Sequence, residues 1–339
     1  MARPIITVFG GSGFLGRHLV QRLAAQGFNV RAAVRDVEAA GFLRPMGDAG
    51  QVVPWPVNIT DRRSVGAAVD GAVAVVNTVG ILSEWGKQTF ERVHVAGAQI
   101  IAEAAAGAGV KRLVHISALG ADAYSESDYA RTKAAGEAAV RAAFPTATIM
   151  RPSVVFGPED RFFNMFAGLC RFTPALPVIG TPIIPEVRLG GEHGVEINLY
   201  GKGGPRFQPV YVGDVADAIV AVLNDAEADA KTYELAGPTT YSFKELMELI
   251  LAVTNRKRLL MPVCYMMAEL IGLFAGLLPK PLLTRDQVAL LRRDNVASGD
   301  LPGLADLGVQ IHAAEAILPT YLHRFRTPAH RQAINRHAD

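Results

Sequence analysis

Apolar residues follow one rhythm up to about residue 150 and another beyond it. In the first stretch, short β-branched and aliphatic runs alternate with alanine-rich segments whose apolar positions recur every three or four residues. That is the pattern of buried parallel strands joined by amphipathic helices. Strands are predicted over 5–9, 29–34, 52–57, 74–79, 112–116 and 148–150, with helices beginning near Gly13, Asp61, Thr89 and Asp128. Asp61 suits the N-cap of a helix over 62–69, and Gly71 suits its stop. After Arg151 the alternation breaks: proline and glycine crowd 173–209, and helical patterning dominates from Ser242 onward.

The first strand runs directly into Gly10-Gly11-Ser12-Gly13-Phe14-Leu15-Gly16. Gly10 permits a sharp exit from the strand, Gly13 lets backbone approach a pyrophosphate, and Gly16 lets the next helix pack closely. The unpaired N–H groups that open that helix would then face an anion. A bound dinucleotide follows, with Gly10, Ser12, Gly13, Phe14, Leu15 and Gly16 as its phosphate cradle. The expected fold is α/β. A Rossmann-type doubly wound parallel sheet with helices on both faces occupies 1–150, completed by returning segments near 206–236. A smaller, mainly helical lobe over 151–330 is interleaved with it, and 331–339 forms a tail.

The second strand bears on which dinucleotide is held. Where an NAD-preferring site usually has an acidic residue, this chain has Val34 followed by Arg35. A guanidinium at Arg35 can pair with a 2′-phosphate and stack on adenine, which favours NADP(H). In the alternative reading Asp36 supplies the carboxylate, and NAD(H) is held instead. Fold logic places Asn58 near the adenine, and Asn77 and Val79 near the ribose.

Candidate chemistry lies at Ser117, Tyr129 and Lys133. Ser117 ends the fifth strand, at the carboxyl edge of the sheet where ligands of open α/β folds collect. Tyr129 and Lys133 stand four apart at the head of an alanine-rich helix and so share a face. An ammonium beside a phenol favours the phenolate, which suits the tyrosine to exchange a proton with an alcohol or carbonyl. Lys133 can also hold the nicotinamide ribose, and Ser117 the reacting oxygen.

Composition narrows the partners. At 339 residues with a formal net charge of +2, the chain can bury a large core but carries no excess of charge that would suit nucleic acid. Its two cysteines, Cys170 and Cys264, lie far apart with no histidine cluster nearby, so no metal site is expected. The first strand starts within a few residues of Met1, which leaves no room for a leader and points to a cytoplasmic chain.

In this order the glycine turn, Asn77, Ser117 and the Tyr129/Lys133 pair resemble the short-chain dehydrogenase/reductases, in their atypical extended branch. The segment Arg151-Pro152-Ser153-Val154-Val155-Phe156-Gly157-Pro158 is similar to the one that passes beneath the nicotinamide in extended members, which adds Pro152 to the cofactor-binding set. The stretch Gln208-Pro209-Val210-Tyr211-Val212-Gly213-Asp214-Val215 resembles their returning strand and helix cap. A narrower resemblance spans nearly the whole chain. Phe42-Leu43-Arg44-Pro45-Met46-Gly47-Asp48, Glu159-Asp160-Arg161-Phe162, Thr284-Arg285-Asp286 and Leu301-Pro302-Gly303-Leu304 are similar to the nucleotide-binding alpha-subcomplex accessory subunits of respiratory complex I. That family implies tightly held NADPH, a structural rather than electron-carrying role, and complex I subunits as partners. The absence of a presequence suggests a bacterial relative, located in the cytoplasm or on the cytoplasmic face of the inner membrane. The complete Ser117, Tyr129 and Lys133 set keeps a second reading open: a stand-alone NADP(H)-dependent oxidoreductase or epimerase acting on a carbonyl or hydroxyl group.

One apolar segment stands apart. Residues 263–278, with Met266, Met267, Leu270, Ile271, Leu273 and Phe274, are too few to span a bilayer. The segment reads either as a core helix of the second lobe or as an apolar face laid against a membrane or a hydrophobic subunit. The basic run Arg256-Lys257-Arg258 precedes it.

Overall fold

In the computed structural model, which describes residues 3–191, 194–275 and 283–327, the β-branched runs of the first half lie side by side as one parallel sheet. The elements begin β1 (Ile5–Phe9), α1 (Phe14–Ala25), β2 (Asn29–Val34), β3 (Val52–Pro56), α2 (Arg62–Val69) and β4 (Ala72–Asn77). They continue with α3 (Gly97–Gly107), β5 (Arg112–Ile116), α4 (Asp128–Ala143) and β6 (Thr148–Pro152). Next come β7 (Val155–Phe156), α5 (Phe162–Phe172), β8 (Ala175–Ile179), β9 (Glu186–Gly191), β10 (Gly194–Asn198), β11 (Arg206–Phe207) and β12 (Val210–Tyr211). The chain then runs through α6 (Val212–Asn224), β13 (Thr232–Leu235), β14 (Tyr241–Ser242), α7 (Phe243–Thr254) and β15 (Leu259–Val263). It closes with α8 (Tyr265–Ala275), α9 (Arg285–Leu290) and α10 (Ala314–Leu322).

Two units share these elements. The first takes the chain up to Pro152, Val212–Ala236 and Ala297–Ile311; the second takes Ser153–Tyr211, Gly237–Val296 and the segment from His312. The first unit holds the seven-stranded sheet, ordered β3-β2-β1-β4-β5-β6-β13, with every pairing parallel. Chain order reverses between β1 and β4, so a crevice for ligand opens at the carboxyl end of β1. Under one face, Phe9, Val65, Val69, Val75, Ile101, Leu113, Val140 and Ile149 make a continuous apolar layer.

Asp61 does cap α2, accepting from the backbone N–H groups of Arg63 and Ser64. Three strands differ from the sequence pattern at their ends, β3 by stopping at Pro56, one residue before its predicted end. β4 begins two residues earlier than the predicted 74–79, where Ala72 already pairs with Ile5 of β1, and it ends two residues earlier because the Asn77 side-chain oxygen accepts the N–H of Val79 at 3.1 Å and turns the chain out of the sheet. β6 runs on to Pro152 because β13 pairs alongside it as far as that residue. The helix expected near Thr89 opens with a π turn over Glu91–Ala96 before α3.

The second unit has its own core, in which Phe156, Phe163, Phe166, Phe207 and Phe243 meet through edge-on ring contacts. Among the described residues its strands pair two by two: β12 with β7, β15 with β8, β11 with β14 and β10 with β9. Asp160, from the Glu159-Asp160-Arg161-Phe162 motif, is buried here. It accepts from the N–H groups of Gly157, Phe163 and Asn164 and from the Tyr321 hydroxyl at 2.5 Å. These bonds join the start of α5 to α10.

The core-helix reading of 263–278 does not hold for the described part. In α8, Ala268 and Gly272 are buried, while Met266, Met267, Leu270, Ile271, Leu273 and Phe274 are each 46–69 % exposed. The cause is local. A β-carbon on Gly272 would lie 3.0 Å from the backbone of Thr284, so α9 approaches along the small-residue stripe and the large side chains turn outward. Residues 276–282, which include the last three of that segment, and the tail from 328 lie outside the described residues.

Replacing Asp61 with alanine removes the α2 cap and is expected to cost about 1 kcal/mol. A urea-unfolding midpoint equal to that of the wild type would contradict the assignment.

Candidate functional site

The turn after β1 closes on one carbonyl. Gly10 sits at φ +80°, and its oxygen accepts the Gly13 N–H at 2.8 Å. A β-carbon on Gly16 would overlap that oxygen and also crowd Gly11 Cα. Having no side chain at Gly16 therefore lets α1 close against the backbone that leaves β1. Gly11, which the motif reading passed over, lies so close to β2 that a β-carbon would come within 2.8 Å of Ala32 Cβ. Gly13 is the N-cap of α1 and brings no capping side chain, so the first-turn N–H groups of Phe14, Leu15 and Gly16 are left without a local acceptor. Ser12 offers its carbonyl to Arg17 at 3.2 Å. This is a cradle for an anion.

On one side of the crevice, β2 ends at Val34 and carries Arg35, which is exposed. Asp36 is engaged locally, accepting the Ala39 N–H at 2.9 Å. Asn58, after β3, is exposed and spends its side-chain oxygen on Thr60, while Ser64 ties the same turn.

On the other side, Asn77 is buried with both amide ends engaged: the oxygen with Val79 and the nitrogen with His115 Nδ1 at 3.1 Å. Its side chain therefore orders the loop after β4, leaving backbone groups there to meet a ligand. Ser117 follows β5 and is 3 % exposed. Among the described residues, its hydroxyl and that of Thr181 are buried without a hydrogen-bond partner. An unpaired buried hydroxyl is costly unless a ligand completes it, and its place at the end of β5 fits a dinucleotide in the crevice. Pro152 is buried at the end of β6, and its carbonyl accepts the Leu119 N–H at 2.9 Å.

Ser127 caps α4 by accepting from Ala130 N, which sets Tyr129 and Lys133 in the first two turns. Lys133 is 5 % exposed. It donates to the Ile116 carbonyl at 3.1 Å, one residue before Ser117, and its ammonium lies 5.9 Å from the centre of the Tyr129 ring. The structure thus brings together the chain segments carrying Ser117, Tyr129 and Lys133. Burial lowers the Lys133 ammonium to about 8, against a smaller opposing pull from Glu137. Glu137 is held by two bonds from Arg151, at 2.9 and 2.7 Å.

Two buried histidines beside this group were not anticipated. Both His94 and His115 are lowered to about 3, by burial first and by Lys133 second, so both are neutral imidazoles. A histidine inside the apolar run Leu113-Val114-His115-Ile116, and another four residues after Phe90 on one helical face, were the available signals. Among the described residues no group of three or more His, Cys, Asp or Glu is placed to hold a metal ion.

The depressed Lys133 value has a sign. The unfolded chain keeps this proton up to about 10.5, so the folded state must carry a buried charge below about 8. Stability therefore rises as pH climbs from about 8 to about 10.5 and falls again on return. A nitrogen-detected titration of Lys133 in the ligand-free protein should show a midpoint near 8; a midpoint above 10 would contradict the burial argument.

Comparison with known proteins agrees with this geometry. The model of the NAD dependent epimerase/dehydratase family matches residues 6–236. The mitochondrial NADH dehydrogenase [ubiquinone] 1 alpha subcomplex subunit 9 of Mus musculus is 38% identical over 325 residues, covering 95% of this chain and 81% of its own. Among solved structures, the dTDP-glucose 4,6-dehydratase of Streptomyces venezuelae with NAD bound superimposes with a TM-score of 0.69 at 19% identity, over 95% of this chain and 96% of its own. The Citrobacter sp. triphenylmethane reductase complexed with NADP(H) gives 0.68 at 19% identity, over 93% and 99%. Both structural likenesses speak for the fold. With the cradle, the sheet order and the family match in agreement, the chain belongs to the NAD-dependent epimerase/dehydratase family, among relatives that include the complex I alpha subcomplex subunit 9 proteins.

Proposed function

We propose that this protein is a complex I accessory or assembly-type subunit that holds NADP(H) as part of its folded structure. The observation that carries this reading is the reach of the similarity. It extends over 95% of the chain and so takes in the second unit as well as the glycine cradle. A ligand bound only by the folded chain stabilises it by mass action, and the unpaired Ser117 hydroxyl, the glycine cradle and the buried Lys133 are groups that such a ligand would complete.

NADP(H) is favoured over NAD(H) by two features at the end of β2. Arg35 is exposed there, and the Asp36 carboxylate is already committed to Ala39 N. A guanidinium at that position recognises a 2′-phosphate.

The outward face of α8, with Leu259 at 75 % and Met261 at 54 % exposure on β15, supports peripheral contact with the cytoplasmic face of the inner membrane or with an apolar subunit there. No helix among the described residues is long and apolar enough to cross a membrane.

A second reading is favoured by the same site: Tyr129 beside a lysine with a value near 8 is suited to proton exchange with a carbonyl or hydroxyl substrate, as in an oxidoreductase or epimerase. Denaturing the purified protein should release about one NADP(H) per chain, exchanging slowly before denaturation. Arg35→Asp should shift the released nucleotide toward NAD(H). Substoichiometric, rapidly exchanging nucleotide together with turnover of a carbonyl substrate would support the enzyme reading instead. On native gels the protein should co-migrate with complex I, and Leu270→Glu with Phe274→Glu should release it to the soluble fraction. Wild-type protein found only as a free species would remove the case for assembly.

A further inference from the structure

His94 occupies a junction of three chain segments. It lies in the π turn that precedes α3 and is 2 % exposed. π turns within helices are often found at functional sites. Helix α4 crosses this turn closely, since a β-carbon on Gly136 would overlap the His94 carbonyl oxygen. The imidazole stacks on Phe90 at 5.3 Å and meets the Tyr129 ring edge-on at 5.3 Å.

The hydrogen bonds fix its tautomer. The Ile81 N–H points at His94 Nε2 at 3.2 Å, so Nε2 must be the unprotonated acceptor. The proton then sits on Nδ1 and is donated to Thr132 Oγ1 at 3.1 Å. Thr132 in turn donates to the Asp128 carbonyl at 2.7 Å. The bond to Ile81 holds the loop after β4 where its neighbour Gly80, itself exposed, comes close to the buried lysine. A β-carbon at Gly80 would lie 3.4 Å from Lys133 Nζ and 3.9 Å from His94 Nε2. This loop and Ser117 belong to β4 and β5, on the opposite side of β1 from β2 and Arg35.

We propose that His94 is a positioning residue for the nicotinamide half of the nucleotide site, its imidazole linking the Gly80–Ile81 backbone on one side to the helix bearing Tyr129 and Lys133 on the other. This rests on the nucleotide-binding reading above. The histidine works through the loop and the helix and is not required to touch the ligand.

The test separates the two halves of the nucleotide. Binding of NADPH is compared with binding of adenosine 2′,5′-bisphosphate, which lacks the nicotinamide half, for wild type, His94→Phe and His94→Gln. Phenylalanine keeps the ring stack and loses both hydrogen bonds, whereas glutamine can accept from Ile81 and donate to Thr132. His94→Phe should weaken NADPH about tenfold and leave the bisphosphate within about twofold, with His94→Gln recovering most of the loss. Equal losses for both ligands, or no loss for NADPH, would overturn the proposal. Wild-type protein that binds neither ligand would overturn the nucleotide-binding reading and the role of His94 with it. A second measurement needs no ligand. Nitrogen NMR of the His94 ring should show Nδ1 protonated, Nε2 bare and no titration between pH 5 and 8, since burial and the nearby Lys133 both disfavour its protonation. A ring protonated at Nε2, or one that titrates in that range, defeats the proposal.

Discussion

A single carbonyl oxygen, that of Gly10, organises the nucleotide unit. It receives the Gly13 N–H and fills the space that a side chain at Gly16 would need. The exit from β1, the start of α1 and the closeness of the turn to β2 thus form one steric problem with one solution, a chain of glycines. Because α1 begins there without a capping side chain, its N-terminal N–H groups remain for an anion. The order of the sheet then places Arg35 to one side of that point and the loops bearing Asn77, Gly80 and Ser117 to the other.

The part of the site around Ser117 and Tyr129 is built on a buried lysine. Lys133 has its neighbouring carboxylate, Glu137, one turn along α4, and that carboxylate is held by Arg151 from β6. Its direct hydrogen bond goes to the Ile116 carbonyl. The two histidines nearby are neutral, so the lysine carries the positive charge of the cluster while protonated. A cation arranged in this way holds geometry at a cost in desolvation, and a bound nucleotide can offset that cost. The same set of groups therefore suits a retained cofactor and a proton-exchanging enzyme alike.

In the second unit, the contact between α8 and α9 decides which face is hidden. Ala268 and Gly272 allow the close approach, and the methionine, leucine, isoleucine and phenylalanine side chains are left outside. An apolar face turned outward by backbone packing is a different object from a core helix, although the two have the same composition.

The local features were legible from residue order because they arise from nearest neighbours: the glycine turn, the alternation that gives β1 to β6, the Asp61 cap, and the Tyr129/Lys133 spacing on one helix face. Asn77 shows where that legibility stops. Its position was predicted, but the engagement of its amide with Val79 and His115 depends on β5 lying beside β4. His94, which belongs to none of the motif strings, became visible only when α4 crossed the π turn at Gly136. Sequence by itself determined a dinucleotide-type α/β fold and the identity of its candidate groups, because steric and capping preferences act over a few residues. Tertiary structure alone decided which side chains are spent on the protein, which hydroxyl is left unpaired and which apolar face is uncovered, because burial and hydrogen-bond partnership are set by segments far apart in the chain.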